Sequence, residues 1–135
     1  KPSQVLAIEI SDSYRKSLKN KFENQNVVIL ANDAKKLNNV VPDSSVDKLL
    51  AVNVVYFLEP LESYVKEFHR IIKKDGEGII ACKFNGVASF DDSVAVNKDI
   101  DFVTSSFEKG GFSISHINVD LENDFSKYTA ISIKK

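Results

Sequence analysis

The stretch from Val46 to Lys83, VDKLLAVNVVYFLEPLESYVKEFHRIIKKDGEGIIACK, constrains the fold more than any other part of the chain. It opens with Leu49-Leu50-Ala51-Val52, an apolar run without polar alternation, the pattern of a strand covered on both faces in a parallel sheet. Asn53 ends that run. A short connection, Val54 to Glu59, leads to Pro60, which suits the first helical position because its missing N–H would have no partner there. Leu61, Tyr64, Val65, Phe68 and Ile72 then recur at helical spacing. Glu59 and Glu62 lie at the positive end of the helix dipole and Arg70, Lys73 and Lys74 at the negative end. Asp75-Gly76 reads as the helix stop and Ile79-Ile80-Ala81-Cys82 as a second buried strand. The pattern predicts strand, helix, strand, with the helix crossing over between parallel neighbours.

Upstream, Val5 to Ile10 (VLAIEI) is a strand with Glu9 near its C-terminal end. Open α/β sheets bind ligands in the crevice beyond the carboxyl ends of their strands, and a carboxylate there can accept hydrogen bonds from both hydroxyls of a ribose. Ser11 suits the N-cap of a helix whose Tyr14, Leu18 and Phe22 share a face, with Arg15, Lys16 and Lys19 toward water. Val27 to Ala31 is the next strand, followed at once by Asn32-Asp33-Ala34. Leu37 to Ser45 reads as loop, with Pro42-Asp43 as a turn signal.

Downstream, Phe84 to Asn97 reads as a long connection over the mouth of the sheet. Ile100, Val103 and Phe107 mark a helix that Gly110-Gly111 ends. Phe112–Leu121 and Tyr128–Ile133 are two strands joined by the polar link Glu122 to Lys127. The apolar phase switches between His116 and Ile117, which predicts a bulge there. The expected sheet has its first four strands parallel and the last two antiparallel at one edge.

Composition narrows the partners. With 135 residues, 43% hydrophobic and 27% charged, the chain is expected to form one globular domain with a sizeable core. A net charge of -1 and a pI near 6.2 give no global attraction to nucleic acid or an anionic membrane, and no apolar run is long enough to span a bilayer. The single cysteine, Cys82, is read as a small buried hydrophobe, and a reducing cytoplasmic setting is the expectation. Neither His69 nor His116 has a sequence partner suggesting catalysis, and no metal-ligand cluster, Ser-His-Asp set or P-loop is visible.

The segments "VDKLLAVNVVYFL", "FHRIIKKDGEGII" and "FEKGGF", with the closing pair of strands, resemble a class I S-adenosylmethionine-dependent methyltransferase. The resemblance implies a Rossmann-like α/β fold, a mainly parallel sheet with helices on both faces and a C-terminal antiparallel hairpin. It implies S-adenosylmethionine as cofactor, with adenine recognised by the acid after a strand, Asp33, and by the backbone N–H beside it at Ala34. The implied cofactor site comprises Glu9, Ile10, Asp33, Ala34 and Asn53. Tyr56, Phe57 and Phe84 are the candidate contacts to a small-molecule methyl acceptor. Methyl transfer is a direct displacement from the sulfonium that depends mainly on positioning, so no catalytic residue is assigned.

The chain also departs from that family. All five glycines lie at or after Gly76, so the glycine-rich turn expected about 20 residues before a ribose-binding acid has no counterpart. Asp75-Gly76-Glu77-Gly78 stands where the family usually has a proline and paired glycines. The resemblance begins at the family's second strand, and its first strand and first helix are absent. From this follow three expectations: weak or no S-adenosylmethionine binding by these 135 residues, exposed strand edges, and self-association or strand donation through those edges. Two alternatives stand beside this reading, a non-enzymatic remnant or interaction module and a fragment of a nicotinamide-dependent oxidoreductase.

Overall fold

The computed structural model describes residues 4–23, 25–120 and 127–135. Its elements alternate as the apolar pattern demands: β1 (Val5–Ile8), α1 (Asp12–Lys21), β2 (Val27–Leu30), β3 (Val46–Val52), a 3-10 turn (Val55–Phe57), α2 (Leu61–Ile71), β4 (Ile72–Cys82), α3 (Phe84–Val87), α4 (Ile100–Lys109), β5 (Ser113–Asp120) and β6 (Lys127–Lys134). The strands form two hydrogen-bonded sheets, β1-β2 and β3-β4-β6-β5. β1 and β2 are parallel, as are β3 and β4, while β6 runs antiparallel to both β4 and β5. The expected hairpin at one edge is therefore present. β1 and β3 do not pair with each other, so each keeps a strand edge without a partner among the described residues.

The core lies on one face of the larger sheet. Ile80 and Cys82 of β4 and Ile131 and Ile133 of β6 pack with Tyr64, Val65, Phe68 and Ile71 of α2 and with Val103 and Phe107 of α4. Strand alternation sends the intervening residues to the opposite face. Leu50, paired with Ile79 in register, is 72% exposed, and Ile79 is 46% exposed. The expectation that both apolar runs are covered on both faces is thus corrected: an uninterrupted apolar run shows which residues can be buried, not that a second layer covers them.

Several boundaries also move. β1 stops at Ile8, two residues short of the expected Ile10, and β2 at Leu30 instead of Ala31. Pro60 is the N-cap of α2 rather than its first helical residue. The helix ends at Ile71, where Ile72 turns extended, so Lys73 and Lys74 belong to β4 and not to the helix terminus. Asp75-Gly76 marks an irregularity instead of a helix stop: pairing jumps from Val46↔Ile72 to Lys48↔Glu77, with Asp75 at φ 63°. A Cβ on Gly76 would lie 2.7 Å from Ile72 Cγ2 and 2.9 Å from the Lys73 carbonyl, so the tight bend has no room for a side chain.

The bulge expected between His116 and Ile117 is absent, and register runs unbroken from Ser113↔Lys134 to Asp120↔Lys127. α1 buries none of its residues, and Tyr14 is 66% exposed, so its expected apolar face is only partly used. Of the link from Glu122 to Lys127, only Lys127 lies within the described residues, where it opens β6.

Candidate functional site

Parallel pairing puts the carboxyl ends of β1 and β2 together, and likewise those of β3 and β4. Glu9 follows β1, and its N–H still donates to the Leu30 carbonyl at 3.0 Å. The Glu9 carboxylate accepts the Ser11 N–H at Oε1, 2.7 Å, while Arg15 donates to the carbonyls of Glu9 and Ile10 at 2.9 and 2.6 Å. Ser11 occupies the N-cap position without making a side-chain cap bond, so the cap-like partner of this turn is the Glu9 carboxylate. The Ile10 side chain is exposed.

Asp33 sits two residues beyond Ala31 on a tight turn: its Oδ1 accepts the Lys35 N–H at 3.2 Å and its carbonyl accepts the Lys36 N–H at 2.8 Å. The Tyr64 phenol faces the Asp33 carboxylate, and Lys35 Nζ lies beside both, 5.3 Å from the Tyr64 ring centroid and 3.8 Å from Asp33 Oδ2. Burial, reinforced by that carboxylate, pushes the Tyr64 phenol up to about 12, so it stays protonated. Ala34 is half-buried and packs against the core. Lys35 Nζ reaches the Glu59 carbonyl at 2.6 Å, which fastens this turn to the connection that follows β3.

Asn53 closes β3 with its N–H on the Ala81 carbonyl, 2.8 Å, and its backbone at φ 54°. Asn is among the few residues that enter this left-handed region at small cost. Its side chain is the hub of a polar cluster. The Tyr56 hydroxyl donates to Asn53 Oδ1 at 3.2 Å and accepts the Lys83 N–H, and Lys83 Nζ lies over the Tyr128 ring, 4.5 Å from its centroid. The neighbouring Asn53 side chain foremost and Lys83 next draw the Tyr128 phenol below its ordinary value, whereas burial pushes Tyr56 up to about 12.

The aromatic candidates gather at the same place. Tyr56 meets Phe57 edge-on at 5.6 Å and Phe84 edge-on at 5.7 Å between ring centroids. Tyr56 itself is buried, so the ring surface open to solvent belongs to Phe57 and, in part, to Phe84. Asn97, buried and donating to the carbonyls of Val55 and Leu58 at 2.8 and 2.7 Å, ties the end of the long connection beneath Tyr56. Beside this cluster lies a cavity of about 310 Å³ lined by Cys82, Phe84, Asn85, Asn118, Tyr128 and Thr129 among others. Burial holds the Cys82 thiol near 12, which leaves it an inert wall.

The structure thus brings Asn53, Tyr56, Phe57 and Phe84 into one cluster, places Asp33 and Ala34 on a turn bound to the neighbouring helix, and leaves Glu9 and Ile10 at the end of the separate β1-β2 pair. Tyr128 and Lys83 were not anticipated as site residues. No local signal marks Tyr128, because its partner Asn53 lies on a strand remote in sequence. A larger groove of about 570 Å³ between α2 and α4, lined in part by Glu62, His69, Phe102 and Lys109, contains none of the expected site residues.

The family profile described as a methyltransferase domain matches residues 1–80. The chain belongs to the class I S-adenosylmethionine-dependent methyltransferases. Solved structures agree in fold. An S-adenosylmethionine-dependent methyltransferase from Mesorhizobium loti superposes with a TM-score of 0.79 at 12% identity, covering 98% of this chain and 81% of that one. The N-methyltransferase NodS from Bradyrhizobium japonicum gives 0.77 at 9% identity, with 98% and 73% covered. The YcgJ protein from Bacillus subtilis gives 0.76 at 13% identity, with 98% and 82% covered. No curated protein matches the sequence significantly. S-adenosylmethionine is accordingly the cofactor of this methyltransferase domain. No helix of the described residues is long and apolar enough to cross a membrane.

The groups at the strand ends suit the adenosine half of that cofactor. Glu9 has one carboxylate oxygen engaged by Ser11, so the other can accept from a ribose hydroxyl. Asp33 offers an acceptor beside backbone donors, the pairing that an adenine amino group and ring nitrogen require.

Proposed function

We propose that this methyltransferase domain transfers the methyl group of S-adenosylmethionine to a small-molecule acceptor held at the Asn53 cluster. In this reading Glu9 and Ile10 take the ribose, Asp33 and Ala34 take the adenine, and Asn53 faces the junction between cofactor and acceptor. Phe57 and Phe84 supply the apolar wall against the acceptor, with Tyr56 supporting both rings from beneath. The observation that carries the reading is the cluster of Asn53, Tyr56, Lys83 and Tyr128 at the carboxyl end of β3, joined by the Tyr56 hydroxyl and by Lys83 over the Tyr128 ring, at the end where open α/β sheets bind ligands.

When bound, the cofactor would supply a sulfonium methyl whose carbon takes the lone pair of the acceptor while the C–S bond breaks and S-adenosylhomocysteine leaves. The residues of this chain contribute position. Asn53 is held by the Tyr56 hydroxyl and by its backbone bond to Ala81, so its amide is preorganised, and the aromatic pair excludes water from one side of the acceptor. The cavity near 310 Å³ is at the small end of ligand-sized sites and favours a compact acceptor.

Nuclear magnetic resonance titration of the 15N-labelled chain with S-adenosylhomocysteine tests the cofactor half, because it detects weak as well as tight binding. The expected result is saturable shifts at the amides of residues 9–10, 33–34 and 53. Asp33→Asn and Glu9→Gln should each weaken binding about tenfold, the value of one charge-assisted hydrogen bond. Saturable shifts elsewhere, with these amides unmoved, would refute the assignment.

A further inference from the structure

Tyr64, Glu67 and Arg70 stand on one stripe of α2, each three residues from the next, and together they hold the segment that follows β2. Tyr64 faces the Asp33 carboxylate and carries Lys35 Nζ over its ring at 5.3 Å, with that ammonium 3.8 Å from Asp33 Oδ2. Glu67, 9% exposed, accepts the Leu37 N–H at 2.7 Å through Oε1. Arg70 grips Glu67 with Nε and Nη2 at 2.9 and 2.8 Å, and the same Nη2 donates to the Val41 carbonyl at 3.0 Å while Nη1 bonds Asp43. Leu37 and Val41, each 2% exposed, plug the segment into the core between those bonds.

A carboxylate as enclosed as Glu67 persists only when its charge is paired. The Arg70 guanidinium does this and draws the Glu67 carboxyl below its usual range, so it remains ionised and acts purely as an acceptor for the Leu37 N–H. The local bonds of the Asp33 turn fix its shape but not its placement against the sheet. Placement comes from α2, which begins just beyond Asn53, Tyr56 and Phe57 and holds the Leu37 and Val41 backbone, together with the Lys35 bond to the Glu59 carbonyl.

We propose that Tyr64, Glu67 and Arg70 are positioning residues for the adenine end of the cofactor site: the helix stripe aims the Asp33 carboxylate and the Ala34 amide, and thereby sets the preference for a 6-amino purine. This rests on the adenine assignment of Asp33 and Ala34 made above. A carboxylate held in place accepts from an amino group and rejects a 6-oxo group, which has no proton to give; a carboxylate free to swing discriminates less.

The test uses the 15N-labelled chain and the variants Glu67→Gln, Glu67→Leu and Tyr64→Phe, with two readouts. In native-state hydrogen exchange, Glu67→Leu should lower protection of the Leu37 amide about tenfold or more, and Glu67→Gln less because it keeps an acceptor oxygen, while Ile80 and Ile131 stay protected. In titrations with S-adenosylhomocysteine and its 6-oxo analogue S-inosylhomocysteine, the wild-type preference for the amino form should shrink in Glu67→Leu and Tyr64→Phe and be largely retained in Glu67→Gln. A merely structural role would weaken both ligands equally and leave the ratio alone, which overturns the proposal. Unchanged Leu37 exchange in Glu67→Leu also overturns it. Absence of any wild-type preference removes the adenine assignment instead, and the exchange arm then reports separately that the clamp exists without that purpose. Should Glu67→Leu unfold, the ratio in Tyr64→Phe decides alone.

Discussion

The β1-β2-α1 unit and the β3-β6 unit with α2 and α4 carry different loads. In the second, Val103, Phe107, Ile131 and Ile133 are fully enclosed, and two helices cover one sheet face. In the first, α1 buries nothing, Val5 is 41% exposed and Leu6 is 36% exposed. Only Ile8 and Leu30, at the carboxyl ends of their strands, reach the common core. The end of the β1-β2 pair that bears Glu9 and leads to Asp33 is thus the end that is anchored. The groups proposed to bind the cofactor sit where a marginal unit meets a well-packed one, and the segment that follows the Asp33 turn is held by α2.

Truncating the core should break the second unit outright. Phe107→Ala removes a fully buried ring at a cost of about 3–5 kcal/mol, read as a lowered midpoint in chemical denaturation, whereas Leu18→Ala on half-buried α1 should cost under about 1 kcal/mol. Equal losses at the two sites would erase the distinction between the units.

Next in size is Gly110→Ala. Its Cβ would lie 2.2 Å from Val65 Cγ1, and Val65 is itself enclosed, so α2 and α4 must separate at a cost of about 1–3 kcal/mol. A neutral result would mean that the helix layer is looser than its packing suggests.

Asn53→Ala should cost about 1–2 kcal/mol, because alanine is strained at φ 54° and the side-chain contacts with Tyr56 and Tyr128, the Tyr56 hydrogen bond foremost, are lost. Asn53→Gly relieves the backbone without restoring those contacts. A Gly variant as stable as wild type but with displaced Tyr56 and Tyr128 resonances would separate the two contributions.

The smallest expected effect is a pH dependence. Burial, and after it the Lys135 charge, lower the pKa of His69, which meets Phe112 edge-on at 5.3 Å. The unfolded chain therefore takes up its proton first: stability is complete above the ordinary value of 6.5 and declines as pH falls from there through the lowered folded value. His69→Phe should flatten this decline in unfolding free energies measured between pH 5 and 8. An unchanged slope would move its origin to other groups.

Element types and their order were legible in the sequence because they follow from short-range periodicity: β3 spans Val46–Val52 as expected, and α4 begins at Ile100 and gives way at Gly110 as expected. Methyltransferase family membership was legible from the same strand-helix-strand stretch. Helix and strand ends were less so, since the α2 to β4 transition at Ile72 depends on pairing with Val46 across the sheet. Burial on a second face could not be read at all: Leu50 and Ile80 look alike in sequence, yet one is 72% exposed and the other 1%. The partners of Asn53 and Asp33 were likewise decided by tertiary structure. Tyr128 reaches Asn53 through the β4-β6 pairing, and Tyr64, Glu67 and Arg70 reach the 33–43 segment because α2 packs over it. Periodicity is a property of neighbours along the chain, whereas these bonds join groups that only the packing of helix on sheet brings within reach.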